Sequence, residues 1–284
     1  PLLIITYQFG ENINEASRWI KVPIINMAFQ PSDLAKLSLI IYLSSFLAKK
    51  QNELENIKTL VIPFIWIALI CLFIALTNLS TSLILGATSI LLMFISRVKI
   101  SHLSLLVFFV ILSGGIALLT GQRGYTALSR VEDFMNKENL PYQLEQAYIA
   151  VSTGGFFGKG PGNSNQKNFL PQSSSDFIYA IIVEEYGFIM GVTILILYLF
   201  LLYRGLKIFL NSDRPFGGLL SAGLSFALVF QAITNMCVVV GLLPVTGVTL
   251  PLVSMGGTSQ LFTGITLGII LSVSRQNEKE KGYV

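Results

Sequence analysis

The amino-acid sequence predicts an all-α integral membrane protein, a polytopic bundle of transmembrane helices with one long extracytoplasmic loop. Of its 284 residues, 53% are hydrophobic and only 12% are charged, and the mean hydropathy is +0.70. A soluble domain of this length could not bury so much apolar surface in one core. The apolar runs are about 20 residues long, which is enough to cross a bilayer as helices and too continuous for alternating barrel strands.

These runs predict seven complete spans, preceded by a partial one. The partial span, Leu2–Phe9, is too short to cross, so we expect the sequence to be truncated at its N-terminus. The chain is expected to form one membrane domain over residues 1–284, with the long polar loop at residues 121–175. The complete spans are expected at Leu34–Ala48, Leu60–Thr77, Ser80–Ile95, Leu103–Thr120, Phe177–Tyr203, Phe216–Leu243 and Leu250–Val273.

Basic residues fall in alternate connections, which predicts that those connections are cytoplasmic. They cluster at residues 49–58, 97–99, 204–214 and 275–281, whereas the connections around Asn78 and at 243–247 carry none. By parity, the long loop lies on the outer side of the membrane. Because topology and attraction to anionic membrane lipid account for the net charge of +4, no nucleic-acid partner is predicted.

Charged residues occur in two places where the membrane makes them costly. Asp33 and Lys36 follow Pro31, which suits a first helical turn, so they form either a local ion pair or the lining of a polar cavity. Glu184 and Glu185 lie inside a span, where an ionised group costs about 2.5–3.5 kcal/mol without a partner or water. At least one should face the bundle interior, with Lys36 or an arginine as partner. Its role is either a structural polar contact or a contact to substrate or ions.

Two segments are rich in glycine. Val151–Lys167 contains five glycines among polar residues, which is typical of a phosphate or sugar cradle and equally of a turn-rich connection. A short interfacial helix, Tyr142–Ser152, is expected at its start. Gly241–Ser259 contains two prolines and four glycines, and such broken backbone at membrane depth is tolerated only where it is buried in protein or lines a wet cavity. This second segment therefore indicates a functional site.

Asp176 follows three serines and precedes an apolar run. The pattern is typical of a helix N-cap. The same position, beneath the long loop, also suits a carboxylate that acts as a general base. Spacing alone leaves both interpretations open.

Several blocks of the sequence resemble a known family. Asn235-Met236 followed by Gly241–Ser259 closely resembles the C-terminal signature of the SEDS proteins (shape, elongation, division and sporulation), which include FtsW and RodA. Further matching blocks run in the same order through the chain: Glu15–Trp19, Gln30–Lys36, Gly154–Lys167, and Leu170-Pro171 through Asp176-Phe177 to Glu184-Glu185 and Gly187.

The resemblance implies a ten-span bundle in the bacterial inner membrane that polymerises lipid II, working with a class B penicillin-binding transpeptidase and other divisome proteins. The acid that is essential for transfer in the family falls on Asp176, in a loop on the periplasmic side. The blocks resemble a division-type FtsW more than a RodA-like elongation polymerase. That polymerase and a lipid II flippase remain the alternatives. Where the family usually has His and Thr before the acid, this chain has Ser174 and Ser175, so no histidine can assist.

The substrate's pyrophosphate requires positive charge or a divalent cation, although no metal-ligand set is evident and no cofactor is predicted. We assign candidate substrate contacts to basic, acidic and polar residues of the matching blocks and the loop. They are Arg18, Lys36, Arg123, Lys159, Asn163, Lys167, Glu184, Glu185, Ser254, Gly256 and Gly257.

Overall fold

The computed structural model describes residues 2–9, 11–13, 16–22, 27–120, 124–135, 141–280 and 282. Within these ranges the chain is mainly helical, which confirms the predicted all-α class. The α-helices are α1 (Leu2–Phe9), α2 (Pro31–Lys49), α3 (Ile57–Ala75), α4 (Leu79–Ile95), α5 (Ile100–Thr120), α6 (Gly124–Met135), α7 (Tyr142–Gly154), α8 (Ile178–Leu210), α9 (Pro215–Val239) and α10 (Thr258–Glu280).

A helix stands at each of the seven predicted spans. In the described part of the chain, α3, α5, α8 and α9 are long and apolar enough to cross a membrane, and α4 is a shorter apolar helix of 17 residues. The expected short helix is also present as α7. Helix α6, in the long polar loop, was not predicted.

The last predicted span begins too early in the sequence-based assignment. The sequence predicts a helix over Leu250–Val273, whereas α10 begins at Thr258 and ends at Glu280. Leu252 and Gly257 have left-handed backbone, with φ of 69° and 51°, and Pro251 precedes them. Because left-handed residues interrupt a right-handed helix, residues 250–257 are not helical despite their apolar composition.

A small antiparallel sheet near the start of the chain was also not predicted. Its strands are β1 (Glu11–Ile13), β2 (Ala16–Val22) and β3 (Met27–Phe29), in the order β1-β2-β3. Strand β2 pairs with β3 in the register Ile20↔Phe29, Lys21↔Ala28 and Val22↔Met27.

The chain divides into two compact units. The first comprises Pro1–Gly124, Leu202–Leu228 and Gly257–Val284. Its core lies where α2, α3, α4 and α5 pack together around fully buried leucines and isoleucines. The Ser82 hydroxyl of α4 donates to the Cys71 carbonyl of α3 at 2.7 Å, so the apolar core also contains a polar link between helices.

The second unit comprises Tyr125–Leu201 and Val229–Gly256. It holds α6, α7, the glycine-rich segment, the beginning of α8, the end of α9 and most of the α9–α10 connection, residues 240–257. Asp176 and most of the predicted site residues belong to this unit.

Candidate active site

Two similar turns, each beginning with Leu-Pro, form the framework of the site. Leu170-Pro171-Gln172-Ser173 has φ of 63° at Gln172 and closes with a bond from the Ser173 amide to the Leu170 carbonyl at 3.2 Å. In the α9–α10 connection, Leu250-Pro251-Leu252-Val253 has φ of 69° at Leu252 and a closing bond of 3.3 Å. A type II turn has proline at its second position and a residue with positive φ at its third. Both turns therefore place a residue other than glycine in a costly conformation, a feature that concentrates at functional sites.

The chain after the first turn is bonded directly to the chain after the second. The Met255 amide donates to the Ser174 carbonyl at 2.9 Å, and the Ser254 hydroxyl donates to the Ser175 carbonyl at 2.7 Å. Ser254 is buried, and its oxygen also accepts the Leu250 amide at 2.8 Å. The predicted site residue Ser254 thus holds the backbone beside Asp176.

Asp176 itself lies in a turn two residues before α8 begins, and its side chain is half-buried. The Ser175 hydroxyl donates to Asp176 Oδ1 at 3.0 Å, and the Asn235 side-chain amide of α9 donates to the Asp176 carbonyl at 2.7 Å. The carboxylate is therefore attached to a backbone that is fixed from two directions.

Asn235 belongs to one of the matching sequence blocks, but no role was predicted for it. It is only 2% exposed, and its amide nitrogen donates to Val248 as well as to Asp176, both at 2.7 Å. Gln231, one turn earlier, donates to the Thr249 carbonyl at 3.0 Å. Two amides spaced four residues apart in an apolar helix are costly in a membrane, and this spacing was the available signal.

The glycine-rich segment is inserted into a kink in α8. At Gly187 the backbone has φ of 77° and ψ of −179°, which breaks the helix. The carbonyls of Glu184 and Glu185 instead accept the amides of Lys159 and Gly160 at 3.0 and 2.9 Å. On the other side of the kink, the Phe188 amide donates to the Gly155 carbonyl at 2.8 Å. The loop backbone thus replaces helical hydrogen bonds that the kink removes.

Gly187→Ala is expected to lower the free energy of unfolding by more than about 2 kcal/mol, because this combination of φ and ψ is essentially confined to glycine. A Cβ at this position would also collide with the Phe156 carbonyl. Thermal unfolding of the purified protein measures the effect. Gly115→Ala in α5 is the matched control, because a Cβ there meets nothing within 4 Å and favours the helix. Equal melting temperatures for the two variants would contradict the prediction.

Glu184 is fully buried, and the partner predicted for it is wrong. Its Oε1 lies 2.5 Å from Lys159 Nζ, whereas Lys36 pairs with Asp33 at 2.7 Å in the first unit. The local ion pair between Asp33 and Lys36 was one of the two interpretations left open, and Pro31 occupies the first turn of α2 as expected. The partner of the Glu184 carboxylate is therefore a lysine of the glycine-rich segment.

The remaining predicted residues are distributed between the two units. Asn163 and Lys167 are exposed in the glycine-rich segment, and the Asn163 amide donates to the Lys159 carbonyl at 3.1 Å. Glu185 and Gly256 are half-exposed, and Gly257 belongs to the first unit. Arg18 lies in β2 with a side chain outside the described residues, and Arg123 lies wholly outside them.

No metal centre is evident in the part of the chain that the structure describes. There, no group of three or more His, Cys, Asp or Glu side chains is placed to hold a metal ion.

Gln172 provides a test of the Leu-Pro turn. Gln172→Gly is expected to keep or slightly raise the melting temperature, because glycine adopts φ of 63° without steric cost. Gln172→Val is expected to lower it by several degrees, because a β-branched residue with positive φ is strained. The side chain is exposed, so lost packing contributes little. Thermal unfolding of both variants is the measurement, and a larger loss for glycine than for valine would show that the turn is not of this type.

Comparison with known proteins decides the family. A family model for FtsW, RodA and SpoVE, described as cell cycle proteins, matches residues 1–279. The chain belongs to the FtsW/RodA/SpoVE family. The resemblance drawn from the sequence blocks is thereby confirmed.

Individual members of the family agree with this assignment. The chain is 34% identical to a probable peptidoglycan glycosyltransferase FtsW of Geobacter sp. strain M18, over 96% of this chain and 75% of that protein. It is also 34% identical to the stage V sporulation protein E of Bacillus subtilis strain 168, with the same two coverages. Among solved structures, a chain of a peptidoglycan synthase complex superposes with a TM-score of 0.73 and 28% identity, covering 97% of this chain and 78% of that one.

Proposed function

We propose that this protein is a peptidoglycan glycosyltransferase that polymerises lipid II into glycan strands during cell division. Family membership and the relatives named FtsW support the activity and the division branch. The observation that carries the proposal is the half-buried carboxylate of Asp176, attached to backbone that Asn235 and Ser254 hold in place. Such fixed placement is what general-base catalysis requires.

Asp176 takes the proton from the 4-hydroxyl of the acceptor, a lipid-linked disaccharide. As the proton leaves, the hydroxyl oxygen attacks the anomeric carbon of the growing strand, and the bond from that carbon to undecaprenyl pyrophosphate breaks. The Ser175 hydroxyl donates to one carboxylate oxygen, and this bond helps to set the direction in which the carboxylate points.

Positive charge is needed for the departing pyrophosphate. Lys167 is exposed nine residues before Asp176, and no ion pair to it is found among the described residues. Lys159, with its side chain 27% exposed, is paired with Glu184. Lys167 is therefore the better candidate of the two for contact with the leaving group.

The apolar helices support a location in the bacterial inner membrane, and the chain's basic connections support a periplasmic position for the Asp176 loop. The likeness to a chain of a peptidoglycan synthase complex supports a class B penicillin-binding transpeptidase as partner. In this arrangement the site receives lipid II that has already crossed the membrane.

A reconstituted assay with labelled lipid II tests the activity, run with and without a class B transpeptidase. We expect glycan polymer, with a higher yield when the transpeptidase is present. Movement of lipid II across vesicles without polymer would indicate a flippase. Neither activity would indicate a scaffold, and both of these results would refute the proposal.

A further inference from the structure

The carboxylate of Glu184 lies at the centre of a set of donors that come from the glycine-rich segment. Lys159 Nζ and the Ser164 hydroxyl each lie 2.5 Å from one of its oxygens, and the backbone amides of Asn165 and Gln166 each donate at 3.3 Å. Glu184 has no exposed surface. We propose that Glu184 is a positioning residue whose carboxylate fills the anion cradle of this segment and thereby fixes the loop that ends in Asp176. The expected effect of Glu184 on catalysis rests on the proposed function, whereas its expected effect on the structure of the loop does not.

The groups that donate hydrogen bonds to Glu184 are of the kind that bind a phosphate group. Successive backbone amides, a hydroxyl and a lysine form concave anion sites in many proteins. Here both oxygens of an internal carboxylate already accept them, and a fully buried side chain has no surface left for a ligand. The cradle that the sequence pattern suggested is thus occupied by the protein itself, and Glu184 and Lys159 act on the loop instead of on substrate.

The backbone makes this arrangement possible. Gly158, with φ of 78°, lies against the Glu185 carbonyl so closely that any Cβ would collide with it. The kink at Gly187 opens the neighbouring carbonyls, so the loop is bonded both to the Glu184 side chain and to the main chain beside it. Main-chain hydrogen bonds hold the glycine-rich segment against the kink, and the Glu184 carboxylate holds residues 164–166.

The cradle is connected to Asp176 by a short, hydrogen-bonded path. The amides of Phe169 and Leu170 donate to the Gln166 carbonyl at 3.1 and 2.9 Å, and Leu170, 4% exposed, begins the Leu-Pro turn. Asp176 comes ten residues after Gln166 and eight before Glu184. The contacts with Glu184 and with Asn235 hold opposite ends of this path, so we expect loss of the first to loosen the segment that carries the Asp176 carboxylate.

The test uses the purified membrane protein with four variants: Glu184→Gln, Lys159→Met, both together, and Ser164→Ala. Hydrogen exchange of the amides at 159–167 reports the cradle, and kcat and KM for lipid II report catalysis. We expect Glu184→Gln to speed exchange about tenfold or more, and to lower kcat about 100-fold while KM stays within about threefold. Ser164→Ala keeps the ion pair between Lys159 and Glu184, so it should show the same changes to a smaller extent. This variant also provides the test if Glu184→Gln does not fold.

The double variant separates positioning from substrate binding. Lys159→Met leaves a buried charge without its partner, so removing that charge as well should restore part of both exchange protection and kcat. Lys167→Met, in the same segment, is the exchange control and should leave protection unchanged. A raised KM in Lys159→Met that persists in the double variant, with unchanged exchange, would overturn the proposal. Absence of polymer from the wild-type protein would instead refute the proposed function, while the exchange data would still decide the cradle.

Discussion

Replacement of Asp176 by asparagine or alanine is expected to reduce glycan polymerisation by about 10²–10⁴-fold, the usual contribution of a general base. Asparagine keeps the shape of the side chain but cannot accept the acceptor's proton at neutral pH. Since the Asn235 bond goes to the Asp176 carbonyl, both variants retain the backbone contact that holds the turn. The rate is measured with purified protein, labelled lipid II and a class B transpeptidase.

Two controls distinguish lost chemistry from lost structure. Asp213→Asn removes an exposed carboxylate between α8 and α9 and should leave the rate within about twofold of the wild type, as expected of a surface change. The melting temperature of Asp176→Asn should also stay close to that of the wild type. Near-normal polymer from Asp176→Ala would exclude the assigned role.

Asn235→Leu is the second variant for which we expect a large effect. It removes both bonds from the Asn235 amide, so the half-buried carbonyl of Asp176 and the buried carbonyl of Val248 lose this donor. Each buried acceptor left without a partner costs about 1–3 kcal/mol. We therefore expect a lower melting temperature together with a fall in polymerisation of about 100-fold, because displacement of a catalytic group by about 1 Å has an effect of this size.

Gln231→Leu is the matched control for that variant. Gln231 lies one turn earlier on α9 and donates to the same connection at Thr249, whereas the Asn235 amide also donates to the Asp176 carbonyl. We expect a comparable loss of stability with a much smaller fall in rate. If the two variants lost activity in equal proportion, Asn235 would act by general stability and not by positioning Asp176.

The helices were predictable because they depend on composition over many residues. In the part of the chain that the structure describes, a helix lies at each run that was predicted to span, and the largest error at a helix start is at Leu250–Val253, where a turn looked like part of a span. Local patterns also predicted α7, and they offered the Asp33–Lys36 pair as one of two interpretations. The short strands β1–β3 were missed, since their sequences carry neither a long apolar run nor a strong alternation. Helix α6 was missed although its apolar residues recur at helical spacing.

The candidate site remains a prediction, and the structure adds the contacts of its residues. The sequence singled out Asp176, Ser254, Glu184 and Lys159, but it offered no means of telling a residue that contacts substrate from one that holds the loop. For Lys159 this distinction depends on a contact with Glu184, which lies 25 positions away in the chain. Sequence spacing cannot reveal a contact of that kind, because it arises only after the loop is folded against the helix.

The sequence by itself determined that this chain is a helical membrane protein of the FtsW/RodA/SpoVE family, because apolar length and family motifs are local properties of the chain. Only the tertiary structure decided that the glycine-rich cradle encloses Glu184, that α8 is broken at Gly187, and that the Asp176 turn is held by Asn235 and Ser254. These last two bonds join residues 59 and 79 positions apart. Such contacts form because buried donors and acceptors must find partners, and the folded backbone determines which partners are within reach.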